Sequence, residues 1–182
     1  MFIRMMNKEE IIDRLKSNHE SFISFIAALN ETEFNYSKDG KWNAGQTLDH
    51  LYRAVSTLSR AMMLPKFLFA LLFGKANRDS KDYDGLVAKY KGKLADGGRA
   101  HGRYLPEKVS FANQQKTAMA LRKSVDSICR SLDSYSETSL DRYILPHPLL
   151  GKVTIREMLY FTIYHAEHHK LMAGRYLMKN DQ

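Results

Sequence analysis

The sequence lacks several features that would assign it to a common class of protein. It contains one cysteine, Cys129, so no disulfide can form within the chain, and this composition fits a reducing cytoplasm. Its longest apolar run, from Phe67 to Phe73, is far too short to span a bilayer. The first residues also lack the continuous apolar run of a signal peptide. We therefore expect a cytoplasmic protein with no membrane partner.

Motifs for nucleic-acid binding are also missing, although the formal net charge is +8. Residues 64–110 hold ten Lys and Arg residues against five Asp and Glu residues, so much of the positive excess lies in this segment. No helix-turn-helix, zinc-finger or aromatic-interleaved basic motif is present. We expect no nucleic-acid partner, and either a local anionic ligand or a plain solvated surface accounts for the charge.

Helical periodicity and capping signals dominate the sequence. Three helices are predicted to begin with a capping box, in which a polar side chain and a Glu or Gln three residues later bond each other's backbone N–H groups. No segment alternates as a strand would, and no internal repeat or low-complexity stretch is present. We therefore predict an all-α four-helix bundle that forms a single domain over residues 1–182. The predicted boxes are Asn7–Glu10, Asn43–Gln46 and Thr154–Glu157.

Residues 64–110 are predicted to form an insertion between the second and third long helices. Pro65 breaks the second long helix, and a short apolar helix follows from Lys66 to Phe73. A weaker helix near residues 82–95 and a basic, glycine-containing loop complete the insertion. The other predicted segments are loops at residues 30–41 and 145–148 and a third long helix at roughly residues 111–135.

The final predicted helix carries two histidines, His165 and His169, on the face that should be buried. A single buried imidazole is usually satisfied by one hydrogen bond, but two at i and i+4 point at the same space and each needs a partner. A divalent cation satisfies both, because neutral imidazole is the commonest metal ligand. Such a site needs a third ligand from elsewhere in the chain. The same stripe also contains Met158, Thr162, Met172 and Tyr176.

His50, on the second long helix, has the surroundings of a ligand site. The residues along its own stripe have small side chains, which leave space around the imidazole, whereas a tightly filled core would use larger ones. These small residues are Thr47, Ala54, Thr57 and Ala61.

The four other histidines have less specific positions. His19 lies on the buried face of the first helix, where it is either a core residue or an outer partner of a metal ligand. His168 lies at the edge of the histidine stripe, where it is either a residue at the boundary of the buried face or an outer partner of a metal ligand. His147, between two prolines, is expected to pack, to cap the loop or to lie near the site. His101 is expected to be exposed.

Two motifs surround these histidines. Trp42-Asn-Ala-Gly-Gln-Thr-Leu-Asp-His50-Leu is similar to the W-x-x-x-(Q/E)-x-L-x-H-L segment of the DinB-like superfamily. His147-Pro-Leu-Leu-Gly-Lys-Val-Thr154, followed by His165-Ala-Glu-His-His169, is similar to that superfamily's HP-x-x-G-x-x-T…H-x-x-x-H ending. The resemblance covers about two thirds of the chain, and residues 64–110 fall outside it.

This resemblance implies a four-helix bundle with a divalent metal held by His50, His165 and His169. Zinc or nickel is expected ahead of manganese or iron. Members of the family are commonly described as metal-dependent hydrolases, and some transfer low-molecular-weight thiols to electrophiles. Three neutral histidines leave open coordination positions, at which water or a thiol can ionise near neutral pH. No dedicated nucleophile motif is present, and Glu167 points away from the histidine stripe.

Two functions remain open at this point. The first is a metal-dependent enzyme, either a hydrolase or a thiol S-transferase acting on a small molecule. Arg99 and Arg103 would then attract an anionic substrate such as an anionic thiol, and the apolar run from Phe67 to Phe73 would wall the pocket. The second is a non-catalytic bundle that binds a metal or a small ligand in a stress or sensor role.

A second stripe on the final helix, formed by Tyr160, Tyr164 and Leu171 with Ile163 at its border, lies roughly opposite the histidines. Burial of two faces predicts a further packing partner. A homodimer with two-fold symmetry would supply this partner, and members of the family are often dimeric. The alternative partner within one chain is the insertion at residues 64–110.

Overall fold

The structure is a computed structural model that describes residues 4–178, with the side chain of Met178 outside the described part. It confirms the all-α prediction, because helices account for most of the described residues and the only sheet among them has two strands. Two 3₁₀ turns, at Gly102–Tyr104 and Phe111–Asn113, lie between α5 and α6. The elements in chain order are α1 (Lys8–Ala27), α2 (Glu31–Asn35), α3 (Ala44–Met62), α4 (Lys66–Leu72), α5 (Tyr83–Ala95), α6 (Gln114–Leu132), α7 (Glu137–Arg142), β1 (Ile144–His147), β2 (Gly151–Thr154) and α8 (Ile155–Met178).

The three predicted capping boxes begin three of the four long helices. Asn7 and Asn43 each accept a hydrogen bond from the backbone N–H three residues on and are bonded in return by Glu10 and Gln46. At α8, the Thr154 hydroxyl accepts from the Glu157 N–H at 3.2 Å, and a Glu157 carboxylate oxygen accepts from the Thr154 N–H at 2.9 Å. These local bonds satisfy donors that would otherwise be orphaned at a helix start.

The four long helices α1, α3, α6 and α8 pack around one hydrophobic core. Helix α1 packs against α6 and α8, and α3 packs against the same two helices. Each helix buries most of the apolar stripe that its periodicity predicts, although Met172, near the end of α8, is exposed. Fully buried residues of this core include Ile11, Leu15, Phe22, Leu48, Leu51, Leu121, Ile128 and Leu159.

Four short elements, two helices and the two strands of a hairpin, were not predicted from the sequence. Helix α2 lies within the predicted loop at residues 30–41, and α7 precedes the hairpin. The loop predicted at residues 145–148 is largely strand β1, which pairs antiparallel with β2. Pro146 is tolerated in this strand because a two-stranded hairpin has an outer edge that needs no N–H donor.

The insertion lies partly over the second stripe of α8. Tyr83 and Tyr90 of α5 make edge-to-face contacts with Tyr160 and Tyr164, at ring-centroid distances of 5.8 and 6.1 Å. Tyr160 and Ile163 are fully buried within the single chain, whereas Leu171 remains half exposed. The insertion, which was the alternative partner for this stripe, therefore packs on its tyrosines. The homodimer stays a prediction.

No single helix among residues 4–178 is both long enough and apolar enough to cross a membrane. Helices α3 and α4 reach the required length and composition only when taken together, and the chain bends by 107° between them.

Candidate metal centre

Three histidine side chains from α3 and α8 converge at one point inside the bundle. His165 Nε2 lies 3.1 Å from His50 Nε2 and 3.0 Å from His169 Nε2. One ring nitrogen of each histidine lies within 4.8 Å of the other two, and all three residues are buried. The i, i+4 spacing on α8 places His165 and His169 side by side, and the packing of α3 against α8 brings in His50 from 115 residues away.

The insertion fixes the orientation of His50. Its Nδ1 lies 2.7 Å from the backbone carbonyl of Tyr104, which can only accept, so Nδ1 carries the proton and Nε2 is left with a free lone pair. An outer hydrogen bond of this kind selects the tautomer and the ring orientation of a metal-binding histidine.

A buried carboxylate holds the loop that carries Tyr104. Asp49 Oδ2 accepts from the Glu107 backbone N–H at 2.7 Å and from Arg53 Nε at 2.6 Å. Arg53 in turn contacts the Glu107 carboxylate at 2.7 Å. Asp49 is adjacent to His50 on α3, so one turn of helix carries both His50 and the side chain that anchors the loop segment orienting it.

The three converging histidines are neutral near pH 7. Burial lowers the pKa of His50, with the Tyr104 carbonyl and the Asp49 charge opposing this effect in part. Burial also lowers the pKa values of His165 and His169 well below the usual value, and the neighbouring imidazoles lower them further. Neutral imidazole is the form that binds a metal.

The donor set fits a divalent cation. His165 Nε2 lies close to the other two Nε2 atoms but carries at most one proton, so it can donate an N–H···N bond to only one of them. A cation between the three nitrogens would accept a lone pair from each. The Nε2 separations of 3.0 and 3.1 Å are near the ~3.3 Å expected for two ligands bound tetrahedrally to one zinc ion at about 2.0–2.1 Å. Three histidines with a further position open to solvent or substrate are typical of a catalytic rather than a structural zinc site.

Aromatic rings pack on the three imidazoles. Trp42 lies 5.0 Å from the His50 ring and stacks on His169 at 6.4 Å, measured between ring centroids. Phe161 stacks on His165 at 4.6 Å. These contacts restrict ring rotation and keep the surroundings of the nitrogens apolar, which strengthens electrostatic interactions there.

His50 and His165 open onto a cavity of about 910 Å³, within the size range of small-molecule sites. Three of the four small residues predicted beside His50 line this cavity, namely Ala54, Thr57 and Ala61, whereas Thr47 does not. Phe161 and Met158 of α8 provide apolar walls, and no Asp or Glu among the described residues lines the cavity.

The other histidines lie around this centre with different partners. His19 is buried on α1, where Nδ1 bonds the Leu15 carbonyl at 2.7 Å, and no described hydrogen bond or ring contact joins it to the three converging histidines. His147 caps the hairpin turn, because its Nδ1 accepts from the Leu149 and Leu150 N–H groups at 3.1 Å each, and its ring lines the cavity. His168 is half-buried, with its ring 5.2 Å from that of His169.

The insertion reaches the cavity through its loop rather than through its apolar helix. His101 and Arg103 are exposed at the cavity lining, but Arg99 is not among the lining residues and bonds the Gly98 carbonyl instead. Of the run from Phe67 to Phe73, only Phe73 lines the cavity. The expectation that this run walls the pocket is therefore wrong for most of its length, since several of its side chains face solvent.

Two contributors at the site were missed in the sequence. Tyr104 acts through its backbone carbonyl, a group that every residue has, so no side-chain pattern marks it. Tyr90 of α5 lines the cavity with its ring centroid 6.3 Å from that of His165. Burial raises the pKa of Tyr90 to about 12, which keeps its hydroxyl protonated and able to donate a hydrogen bond.

Comparison with curated proteins finds no match to this chain. A family model described as DinB superfamily matches residues 14–173, which include both predicted motifs and the insertion between them. The match spans most of the chain and contains His50, His165 and His169. The chain therefore belongs to the DinB superfamily.

Proposed function

We propose that this protein is a metal-dependent enzyme in which His50, His165 and His169 hold one divalent cation beside the cavity. Family membership and the buried three-histidine cluster fit a metal-binding site. The observation that carries the catalytic part is that two of the three histidines open onto a cavity large enough for a small substrate. A buried metal with no access would instead be structural.

The protein's own side chains would bind and orient the substrate. When bound, a cation with three imidazole ligands supplies Lewis acidity and favours ionisation of water or a thiol at an open position. Tyr90 can donate a hydrogen bond from its protonated hydroxyl, while Phe161 and Met158 exclude water from the apolar side. Arg103 and Arg60 place positive charge at the cavity, which favours an anionic substrate such as a small anionic thiol.

The described part of the chain offers no evident nucleophile of its own. Cys129 is buried on α6, where burial raises the pKa of its thiol to about 11, so it is not a thiolate at neutral pH. Glu167 is exposed on α8, as expected. The proposed reaction is therefore hydrolysis or transfer of a thiol to an electrophile, with zinc or nickel expected ahead of manganese or iron.

The test begins with elemental analysis of protein purified without a histidine tag. We expect one divalent ion per chain, and we expect His50→Ala to lower metal affinity more than 100-fold, since even an outer partner of a ligand is worth about 10–100-fold. His101→Ala, which alters an exposed histidine of the cavity lining, is the matched control and should keep its metal. Full metal retention in a folded His50→Ala protein would contradict the site.

Turnover is then measured on the metal-loaded protein with thiol–electrophile pairs and with ester and amide panels. Activity that is lost on chelation and restored by metal, with an unchanged circular dichroism spectrum, supports an enzyme. The lack of any carboxylate among the described residues lining the cavity favours the second candidate, a non-catalytic binding protein. Metal-loaded protein that binds small ligands but turns over none of these substrates would make that candidate the better one.

A further inference from the structure

Large apolar side chains are exposed together where α3 ends and α4 begins. Of nine such side chains in the described part of the chain, five fall within residues 63–72. A cluster of this kind on a soluble fold marks an interaction surface more often than chance exposure does. The five, which we call the α4 patch, are Met63 (69% exposed), Leu64 (38%), Phe67 (68%), Leu71 (75%) and Leu72 (58%).

Helix α4 carries large apolar side chains on two sides, and one of these sides faces outward. Phe69 is fully buried in the core, and Lys66 lies against the protein, where its ammonium bonds the Ser134 carbonyl and packs 5.0 Å from the centre of the Tyr135 ring. Phe67 and Leu71, four residues apart, share the opposite side of the helix and face solvent. A helix on the surface of a protein normally turns polar side chains, not large apolar ones, towards solvent.

Positive charge surrounds the α4 patch. The sequence between Asp49 and Asp79 contains no Asp or Glu. Arg60 and Lys75 are exposed three residues before and three residues after the patch, and exposed Lys152 extends its Nζ to within 3.5 Å of the Phe73 carbonyl. None of these three cations has an ion-pair partner among the described residues, whereas Arg78 is bound to Glu157.

We propose that the α4 patch docks on a lipid bilayer that contains anionic lipids. Its apolar side chains would enter the boundary between headgroups and acyl chains, while Arg60, Lys75 and Lys152 would approach the lipid phosphates. A second copy of the chain fits this surface less well, because a two-fold contact would bring the same unpaired cations together. The sequence argued against a membrane partner only because no segment is long enough to span one, and surface contact needs no spanning segment.

The patch also adjoins the candidate metal centre. Arg60 and Ala61, just before it, and Phe73, just after it, line the cavity. A docked bilayer would therefore lie next to the cavity. The proposal itself does not depend on the identity or the presence of the metal.

The experiment is flotation of the full chain with vesicles of phosphatidylcholine alone or of phosphatidylcholine mixed with phosphatidylglycerol. We expect binding to the mixed vesicles only, and we expect added salt to weaken it. Replacing Phe67 and Leu71 by serine should lower the partition coefficient at least about tenfold, because two large side chains no longer leave water. Lys75→Gln and Lys152→Gln should each lower it about fivefold.

Met119→Ser is the matched control, since Met119 is 47% exposed on α6, away from the patch, and should leave flotation unchanged. Circular dichroism checks that every variant is folded. Wild-type protein that stays in solution with the mixed vesicles at low salt would overturn the proposal, as would a double serine variant that floats equally well. If the wild type does not float and the double serine variant turns a wild-type dimer into a monomer by light scattering, a second copy occupies the patch instead.

Discussion

At the scale of single residues, His19 is a buried histidine that lies apart from the candidate metal centre. Its Nδ1 donates to the Leu15 carbonyl, and its Nε2 is buried with no partner among the described residues. Burial lowers the pKa of His19 to about 4 from an ordinary value of 6.5. Protonation of His19 is therefore less favourable in the folded protein than in the unfolded chain.

The free energy of unfolding should consequently fall as the pH is lowered from 6.5 towards 4. Above the unfolded-state pKa, His19 is neutral in both states and its titration costs no stability. Below it, the unfolded chain binds a proton that the folded chain does not, and this lowers the free energy of unfolding. We expect His19 to contribute up to about 3 kcal/mol to this loss. The free energy of unfolding is measured by urea titration of metal-free protein at several pH values. Plotted against pH, it should have a shallower slope in His19→Gln than in the wild type, while His101→Gln, at an exposed position, should match the wild type. Equal slopes in all three proteins would contradict the assignment.

Arg99 and Arg103 form a second comparison between single residues. They are four residues apart in the same loop, but only Arg103 lines the cavity. If the substrate is anionic, Arg103→Gln should raise KM about threefold to tenfold and reduce its dependence on salt, while Arg99→Gln should change KM less than about twofold. Steady-state kinetics at two salt concentrations measures this, and equal effects of the two variants would mean that only the overall charge matters.

At the scale of elements, the contact between α3 and the insertion loop orients His50, a proposed metal ligand. Asp49 holds the Glu107 N–H, and the same loop brings the Tyr104 carbonyl to His50. Asp49→Asn keeps the shape of this side chain but removes its charge and weakens its bonds to Arg53 and Glu107.

We expect Asp49→Asn to lower metal affinity about tenfold and to speed tryptic cleavage in the loop, at Arg99, Arg103 and Lys108. Competition with a chromophoric chelator and timed proteolysis give the two readouts. Glu20→Gln, which removes the exposed Glu20–Arg122 pair on the other side of the bundle, is the control and should leave both unchanged. Normal metal affinity in Asp49→Asn would show that the loop does not position His50.

The elements that the sequence predicts are those set by local bonds. Each capping box lies within four residues, so the starts of α1, α3 and α8 follow from the sequence alone. Helix α2 has a box of its own, Asn30–Glu33, but it is only five residues long, and its Phe34 gains burial by packing against distant Gly45. The hairpin likewise depends on pairing that the Ile-Leu-Pro-His segment does not display as alternation.

At the scale of the whole molecule, the candidate site could be predicted only in part. Helical spacing identifies His165 and His169, and small neighbours identify His50, because both signals are contained within one helix. The contribution of Tyr104 depends on where a loop of the insertion folds, and Tyr90 reaches the cavity only because α5 packs on α8. Such long-range placement has no periodic signature in the sequence.

The separation of the ligands along the chain also sets an order of events during synthesis. His50 and its loop leave the ribosome long before His165, which lies 115 residues after His50. Until α8 emerges, the growing chain holds only one of the three converging histidines, so the candidate metal centre is incomplete and could not capture a metal with high affinity. If the protein binds the proposed metal, loading must follow the folding of α8, and a nascent chain stalled before residue 165 should bind no more metal than an unfolded peptide.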